Sequence, residues 1–148
     1  MTKEVLISIS GIQIMDGEDN DVELITAGNY YMKNGKHYIL YDEVMEGFEG
    51  VTKNTIRITP GNMDITKKGV ANVHMEFVEN KKNLSCYATP YGDMMVGINT
   101  SQISISEAED QLKVKVDYTL DINYEPVSKC NIIVNVQSLA KADFSLQS

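Results

Sequence analysis

The feature that most constrains the fold of this chain is the alternation of apolar and polar residues in LKVKVDYTLDI, residues 112–122. Every second residue from Leu112 to Ile122 is apolar or tyrosine, and the residues between them are charged or threonine. Successive side chains of a β-strand point to opposite faces, so this period predicts a strand with one buried and one solvated face. The alternation recurs in NTIRITP (54–60) and VHMEFV (73–78), and less strictly in CNIIVNV (130–136).

Turn signals at short spacing separate these runs. Asn34-Gly35 suits a type I′ hairpin, which needs positive φ at both central residues. Thr89-Pro90-Tyr91-Gly92 is predicted to turn between strands near 84–89 and 93–102, and DGEDND (16–21) is an acidic loop. Tight links leave no crossovers of the kind that a sandwich needs. The chain is therefore predicted to be all-β, an antiparallel up-and-down barrel of about eight to ten strands.

The length of 148 residues suits one domain, and the composition, 43% hydrophobic and 23% charged, is that of a folded chain. We expect a single barrel domain over residues 1–148. Residues 137–148 are expected to be a C-terminal extension, either a short helix or an irregular segment. SLAKADF (138–144) is the one weak helical pattern.

The charge of the chain argues against two classes of partner. The net charge is −8, and the lysines are scattered, with Arg57 the one arginine. A protein that tracks phosphates needs a basic face, so neither nucleic acid nor an anionic membrane is expected as a partner. No apolar run approaches a membrane span, and the N-terminus enters an alternating segment at once, which predicts a cytoplasmic protein. Cys86 and Cys130 are therefore expected to be reduced.

The stretch YYMKNGKHYILYDE (30–43) holds four of the eight tyrosines. A two-residue turn at Asn34-Gly35 predicts that Tyr31 faces Tyr38 on one side of the sheet. Tyr30 and Tyr41 then lie on the other side, and Gly28 faces Tyr41, whose ring can lie across it. Packing within a sheet therefore accounts for these tyrosines without a ligand.

The order of these elements resembles that of a known family. GNYYMKNGKHYILYDE, followed by TIRITPG, MEF and TPYGDMMV, is similar to the YwiB-like family of small bacterial proteins. The resemblance runs from about residue 4 to about residue 136. It implies a lipocalin-like β-barrel of unknown function and brings no catalytic residues. The positions that carry it are Tyr30, Tyr31, Tyr38, Tyr41, Glu43, Thr89, Pro90 and Gly92.

Motifs for catalysis and for metal binding are absent from the sequence. There is no nucleophile elbow, Walker A loop, dinucleotide fingerprint or His-Glu-x-x-His. His37 and His74 are best interpreted as solvated or hydrogen-bonded, and Lys67-Lys68 as solubilising charges. We expect no catalytic residues, no cofactor and no metal ion; an enzyme is the least favoured of three hypotheses.

The first hypothesis is a barrel that binds a small, partly apolar molecule in its interior. The inward face is predicted to carry Tyr30, Tyr41 and Glu43 at one end of the barrel. Tyr118 is predicted to add a hydroxyl group, and the small Thr26 to leave space opposite Glu43. A lone inward carboxylate suits a ligand with a cationic or hydrogen-donating group. Arg57 is predicted to point outward, so an anionic ligand has no evident inner partner.

The alternative hypothesis is a structural or protein–protein interaction module. Its basis is MMVGI (94–98), which is apolar on both faces of a strand. Met94, Val96 and Ile98 are predicted to point outward. They would be covered by the C-terminal segment around Leu139 and Phe144, or by a second copy of the chain in a homodimer.

Overall fold

The protein forms ten antiparallel β-strands in a computed structural model, which describes residues 3–11, 23–44, 50–69, 72–89 and 92–139. In chain order they are β1 (Glu4–Ser10), β2 (Glu23–Lys33), β3 (Lys36–Glu43), β4 (Thr52–Thr59), β5 (Asn62–Lys68), β6 (Val73–Val78), β7 (Lys81–Thr89), β8 (Gly92–Ala108), β9 (Gln111–Ile122) and β10 (Glu125–Ser138). Their order in the sheet is β6-β5-β4-β3-β2-β1-β10-β9-β8-β7. This is a nearly closed up-and-down barrel, as the alternation and the tight turns predict.

One ladder connects strands that are distant in sequence. β1 pairs with β10, with Ile7 opposite Val136, and this ladder joins the meander β1–β6 to the meander β7–β10. The consecutive strands β6 and β7 lie side by side without a ladder between them. Across this seam the Asn83 amide donates a hydrogen bond to the Glu76 carbonyl at 3.3 Å.

The hairpin of β2 and β3 has the predicted geometry. Asn34 and Gly35 have φ values of 54° and 76°, as a type I′ turn requires. Tyr31 lies opposite Tyr38, and their rings stack with centroids 4.9 Å apart. A side chain on Gly28 would clash, because its Cβ would lie 2.4 Å from the Leu40 carbonyl oxygen and 3.2 Å from Tyr41 Cβ. The glycine is therefore needed for the close approach of β2 to Tyr41.

The inward face of the strands forms a densely packed apolar core. Buried residues that the alternation assigned to this face include Ile56, Ile58, Met75, Phe77, Val116 and Tyr118. In β8 the register shifts between Thr100 and Gln102, which marks a β-bulge at Ser101. The bulge changes the parity of the strand, so Ile103 faces the core together with Ile98.

Two expectations about the second half of the chain need revision. Val96 and Ile98 are buried in the core, and Met94 packs against it, so the prediction that these three point outward is wrong. The pairing of β8 with β9 explains their inward orientation, because Val96 and Ile98 lie opposite Ile122 and Leu120. β10 continues to Ser138, so the predicted extension does not begin at residue 137.

Several other predictions fall outside the described residues: the acidic loop 16–21, Pro90 with Tyr91, and residues 140–148. β7 ends at Thr89 and β8 begins at Gly92, so the two strands flank residues 90–91. Within the described ranges, no helix has the length and apolar character needed to cross a membrane.

The β1–β10 ladder can be tested through Ile7, which is fully buried beside Val136 and Thr26. We expect Ile7→Ala to lower the free energy of unfolding by about 2–5 kcal/mol, because it leaves a cavity where the two meanders join. Urea denaturation followed by circular dichroism measures this loss. Ser8→Ala, at the neighbouring position of opposite orientation, should change stability by less than about 0.5 kcal/mol. Equal effects at both positions would contradict this account of the junction.

Candidate functional site

The candidate site lies at the end of the barrel where β3 finishes and β4 begins. Tyr41 and Glu43 of β3 point inward there, and Tyr41 is buried. Thr52 lies opposite Glu43, and Asn54 lies opposite Tyr41, so both β4 residues share the inward face. Lys67 of β5 lies opposite Asn54 and completes the group. We call these five residues, Tyr41, Glu43, Thr52, Asn54 and Lys67, the polar inner end.

An ion pair crosses the polar inner end. Lys67 Nζ lies 3.2 Å from Glu43 Oε1, and the two side chains are 16% and 30% exposed. Glu43 thus has the partner that an inward carboxylate requires. The predictions that Lys67 is a solubilising surface charge and that an anion has no inner partner are therefore wrong. The inward orientation of Lys67 could have been predicted from β5, because Lys67 continues the alternation of the inward residues Met63 and Ile65.

Two buried polar atoms lie beside this ion pair. Thr52 and Asn54 are each 1% exposed. The Asn54 amide donates to the Thr52 carbonyl at 3.3 Å. Thr52 Oγ1 and Asn54 Oδ1, however, have no hydrogen-bond partner among the residues that the structure describes. Such atoms cost about 1–3 kcal/mol each when they stay unsatisfied, so they indicate a place where a partner is accepted.

The electrostatics of the polar inner end keep Tyr41 neutral. Burial raises the pKa of its hydroxyl above the ordinary value, and the Glu43 carboxylate raises this pKa further. A neutral tyrosine can both donate and accept a hydrogen bond. The polar inner end thus combines a hydroxyl-bearing ring with the Glu43–Lys67 ion pair.

The other predicted site residues do not gather around Glu43. Tyr30 lies opposite Ile39, toward the hairpin end of β3. From His37 to Glu43 the strand spans about 20 Å, at roughly 3.3 Å per residue. Thr26 faces inward opposite Ile7, and Tyr118 packs edge-on against Phe77 with ring centroids 5.1 Å apart. The structure therefore groups Tyr41 with Glu43 and separates both from Tyr30; a binding role for any of them remains a prediction.

Tyr30 belongs instead to a hydrogen-bonded group at the opposite end of the barrel. Its hydroxyl lies 2.7 Å from His37 Nδ1, and His37 Nε2 lies 2.8 Å from Glu107 Oε1. Burial and then the charge of Glu107 raise the pKa of Tyr30, which argues against a nucleophilic tyrosinate. His37 is 8% exposed and hydrogen-bonded, in line with the second of its two sequence interpretations. The sequence alone did not place Glu107 in this group, because the bulge at Ser101 changes which residues of β8 point inward.

A cavity of about 360 Å³ lies where β2 and β3 separate beyond the pair Asn29–Leu40. Tyr41 and Asn54 contribute to its lining, and neither Tyr30 nor Glu43 does. Asn29, Leu40 and Asp42, which alternate with the inward residues, line its outer side. This cleft therefore opens on the outer face of the barrel, adjacent to the polar inner end, and differs from the pocket predicted around Tyr30, Tyr41 and Glu43.

These features define a ten-stranded meander barrel with an apolar middle and polar groups at both ends of its interior. The chain belongs to the family described as a domain of unknown function, DUF1934, whose sequence model matches residues 7–134. This membership agrees with the YwiB-like resemblance of the tyrosine hairpin and the turns that follow it.

Two comparisons identify a relative of the chain in Bacillus subtilis. The chain is 22% identical over 122 residues to the uncharacterised β-barrel protein YwiB of strain 168, an alignment that spans 82% of this chain and 84% of the relative. Its fold is similar to the crystal structure of the ywiB protein, with a TM-score of 0.76, 19% identity and 92% of each chain covered. At this identity the likeness to the solved structure shows the fold alone.

The raised pKa of Tyr41 predicts how alkaline pH affects stability. In the unfolded chain tyrosine ionises near pH 10, whereas folded Tyr41 keeps its proton to higher pH. The stabilising contribution is therefore complete below about pH 10 and is lost as pH rises toward the folded pKa. We expect Tyr41→Phe to reduce the decline in unfolding free energy above pH 10, by up to about 1.4 kcal/mol per pH unit. Urea denaturation of both proteins across this range measures it; parallel pH curves would contradict the assignment.

Proposed function

We propose that the protein binds a small, partly apolar molecule at the polar inner end. The observation that carries this proposal is the pair of buried atoms, Thr52 Oγ1 and Asn54 Oδ1, which lack a partner among the described residues. Both lie on the same face as the Glu43–Lys67 ion pair. A ligand that donates hydrogen bonds would satisfy Asn54 Oδ1, which can only accept, and Thr52 Oγ1, which can do either.

The Glu43–Lys67 ion pair allows the site to bind ligand groups of either charge. Glu43 can receive a cationic or hydrogen-donating group, and Lys67 can receive an anionic or hydrogen-accepting group. The Tyr41 ring and the apolar core behind it favour a ligand with a nonpolar body. The best-matched class is therefore a small amphipathic molecule that carries an amide or an amine, with or without a carboxylate. Reversible binding at this position requires no catalytic step.

Binding can be tested by NMR titration of the protein with small fragments. Each fragment carries one amide, amine or carboxylate on the same aromatic body. We expect amide and amine fragments to shift the backbone signals of residues 41, 52 and 54. Asn54→Leu, which removes the acceptor at similar size, should weaken the binding at least about tenfold, the effect of losing about 1.4 kcal/mol. The proposal fails if no fragment shifts these signals, or if Asn54→Leu binds equally well.

A substitution at Thr52 tests the same site without a ligand. Thr52→Val keeps the shape of the side chain and removes a buried hydroxyl that has no described partner. We expect the unfolding free energy of the free protein to stay constant or to rise by about 1 kcal/mol, while fragment binding weakens. Thr119→Val on the outward face of β9 is the matched control and should leave fragment binding unchanged. A loss of stability in Thr52→Val would mean that the hydroxyl already has a partner within the protein.

A second candidate function is the docking of a protein partner on the outer face of β2 and β3. The observation that favours it is the outer cleft, which Ala27 of β2 helps to line, together with Ile25, which lies two residues earlier on the same face of β2 and is 60% exposed. A homodimer through this face would replace the dimer that we expected from MMVGI. Light scattering of the wild type and of Ile25→Ser distinguishes a monomer from a homodimer. A monomer mass for both proteins would contradict the homodimer.

A cytoplasmic location also remains a prediction from the sequence.

A further inference from the structure

The outer face of β5 and β6 carries a group of metal-ligand side chains that the polar inner end does not involve. Asp64 lies opposite Glu76, and Thr66 lies opposite His74, so the acids and the histidine occupy successive outward-facing pairs of one ladder. One ligand atom from each of Asp64, His74 and Glu76 can be chosen so that all three lie within 4.8 Å of one another. We call these three residues the outer ladder site. It includes an imidazole, which distinguishes it from an ordinary cluster of surface acids.

The carboxylate of Asp64 is held in a fixed orientation. Its side chain is only 6% exposed although it points away from the core. Arg57 donates hydrogen bonds to Oδ2 from both Nε and Nη2. The opposite oxygen, Oδ1, lies 3.2 Å from His74 Nε2. Hydrogen bonding of a ligating carboxylate by an outer residue is the usual way in which metal sites are oriented.

The distance between Asp64 Oδ1 and His74 Nε2 suits two ligands of one metal ion. Zinc binds histidine nitrogen and carboxylate oxygen at about 2.0–2.2 Å, so two ligands of one tetrahedral ion lie roughly 3.4 Å apart. Asp64 Oδ1 and His74 Nε2 are already close to that spacing. An ion between them would replace one hydrogen bond, that of His74, and would leave both bonds from Arg57 in place.

We propose that Asp64, His74 and Glu76 bind a divalent transition-metal ion of the zinc class. Calcium and magnesium prefer ligand sets made of oxygen, whereas imidazole suits zinc, nickel and copper. The two carboxylates exceed the single guanidinium charge, so the local charge attracts a cation. Three protein ligands leave further coordination positions open. A cavity of about 190 Å³, lined in part by Tyr38, Thr55 and Thr66, adjoins Asp64 and His74 and has room for a water or a small anion there.

Metal titration of the untagged protein tests this proposal directly, since a histidine tag would bind the same ions. Isothermal titration with zinc should show one saturable site per chain, and cobalt should give the visible absorption of a low-coordinate ion. His74→Gln and Glu76→Gln should each weaken zinc binding by at least about tenfold. The ion should also raise the melting temperature of the wild type and not that of His74→Gln.

Two matched variants separate this site from other metal ligands. His37→Gln changes the other histidine of the chain, at the hairpin end of the barrel interior. Asp117→Asn removes an exterior carboxylate from β9. Both should bind zinc as tightly as the wild type, and circular dichroism verifies that each variant is folded. An absence of saturable binding overturns the proposal, as does equal affinity in the wild type and His74→Gln. Loss of binding in a control variant with retention in His74→Gln also overturns it, because the ion would then lie elsewhere.

Discussion

The ladder between β1 and β10 is the pairing on which the rest of the barrel depends. Each of the other ladders joins strands that follow one another in the chain, and β6 and β7 have no ladder between them. Without β1–β10 the chain would form two meanders, each with an exposed apolar face. The ladder brings those faces together around one interior, with Ile7 and Val136 buried at the junction. The ladder also pairs the edges of β1 and β10, which would otherwise be free to pair with other molecules.

The barrel fold also determines where polar side chains can lie in its interior. The middle of the interior is filled by apolar side chains, so inward polar residues are grouped toward the two ends. At one end Glu43 and Lys67 compensate each other's charge beside Thr52 and Asn54. At the other, Tyr30, His37 and Glu107 satisfy one another within the protein. Buried oxygens without a described partner also occur at Asn62 and Thr100. At the first end two such atoms lie on the same face as an ion pair, and for that reason the proposed ligand site lies there.

The fold could be predicted from the sequence because a period of two and a two-residue Asn-Gly turn determine both face and register. The same alternation, continued backward from Ile56 and forward from Ile65, would have placed Asn54 and Lys67 inside. The Tyr30–His37–Glu107 group could not be found in this way. It joins strands that are distant in sequence, and the bulge at Ser101 reverses the parity on which any count along β8 depends. The outer ladder site likewise requires the β5–β6 register, since Asp64 lies on β5 whereas His74 and Glu76 lie on β6.

The most direct test of the central claim, a ligand site at the polar inner end, is a crystal structure of the natively purified protein at a resolution that shows ordered water. The account predicts electron density for a group that does not belong to the chain, about 2.7–3.2 Å from Thr52 Oγ1 and Asn54 Oδ1. Glu43 and Lys67 should border the same density. Hydrogen bonds from the chain itself to both atoms, with no space beside them for a small molecule, would contradict the account.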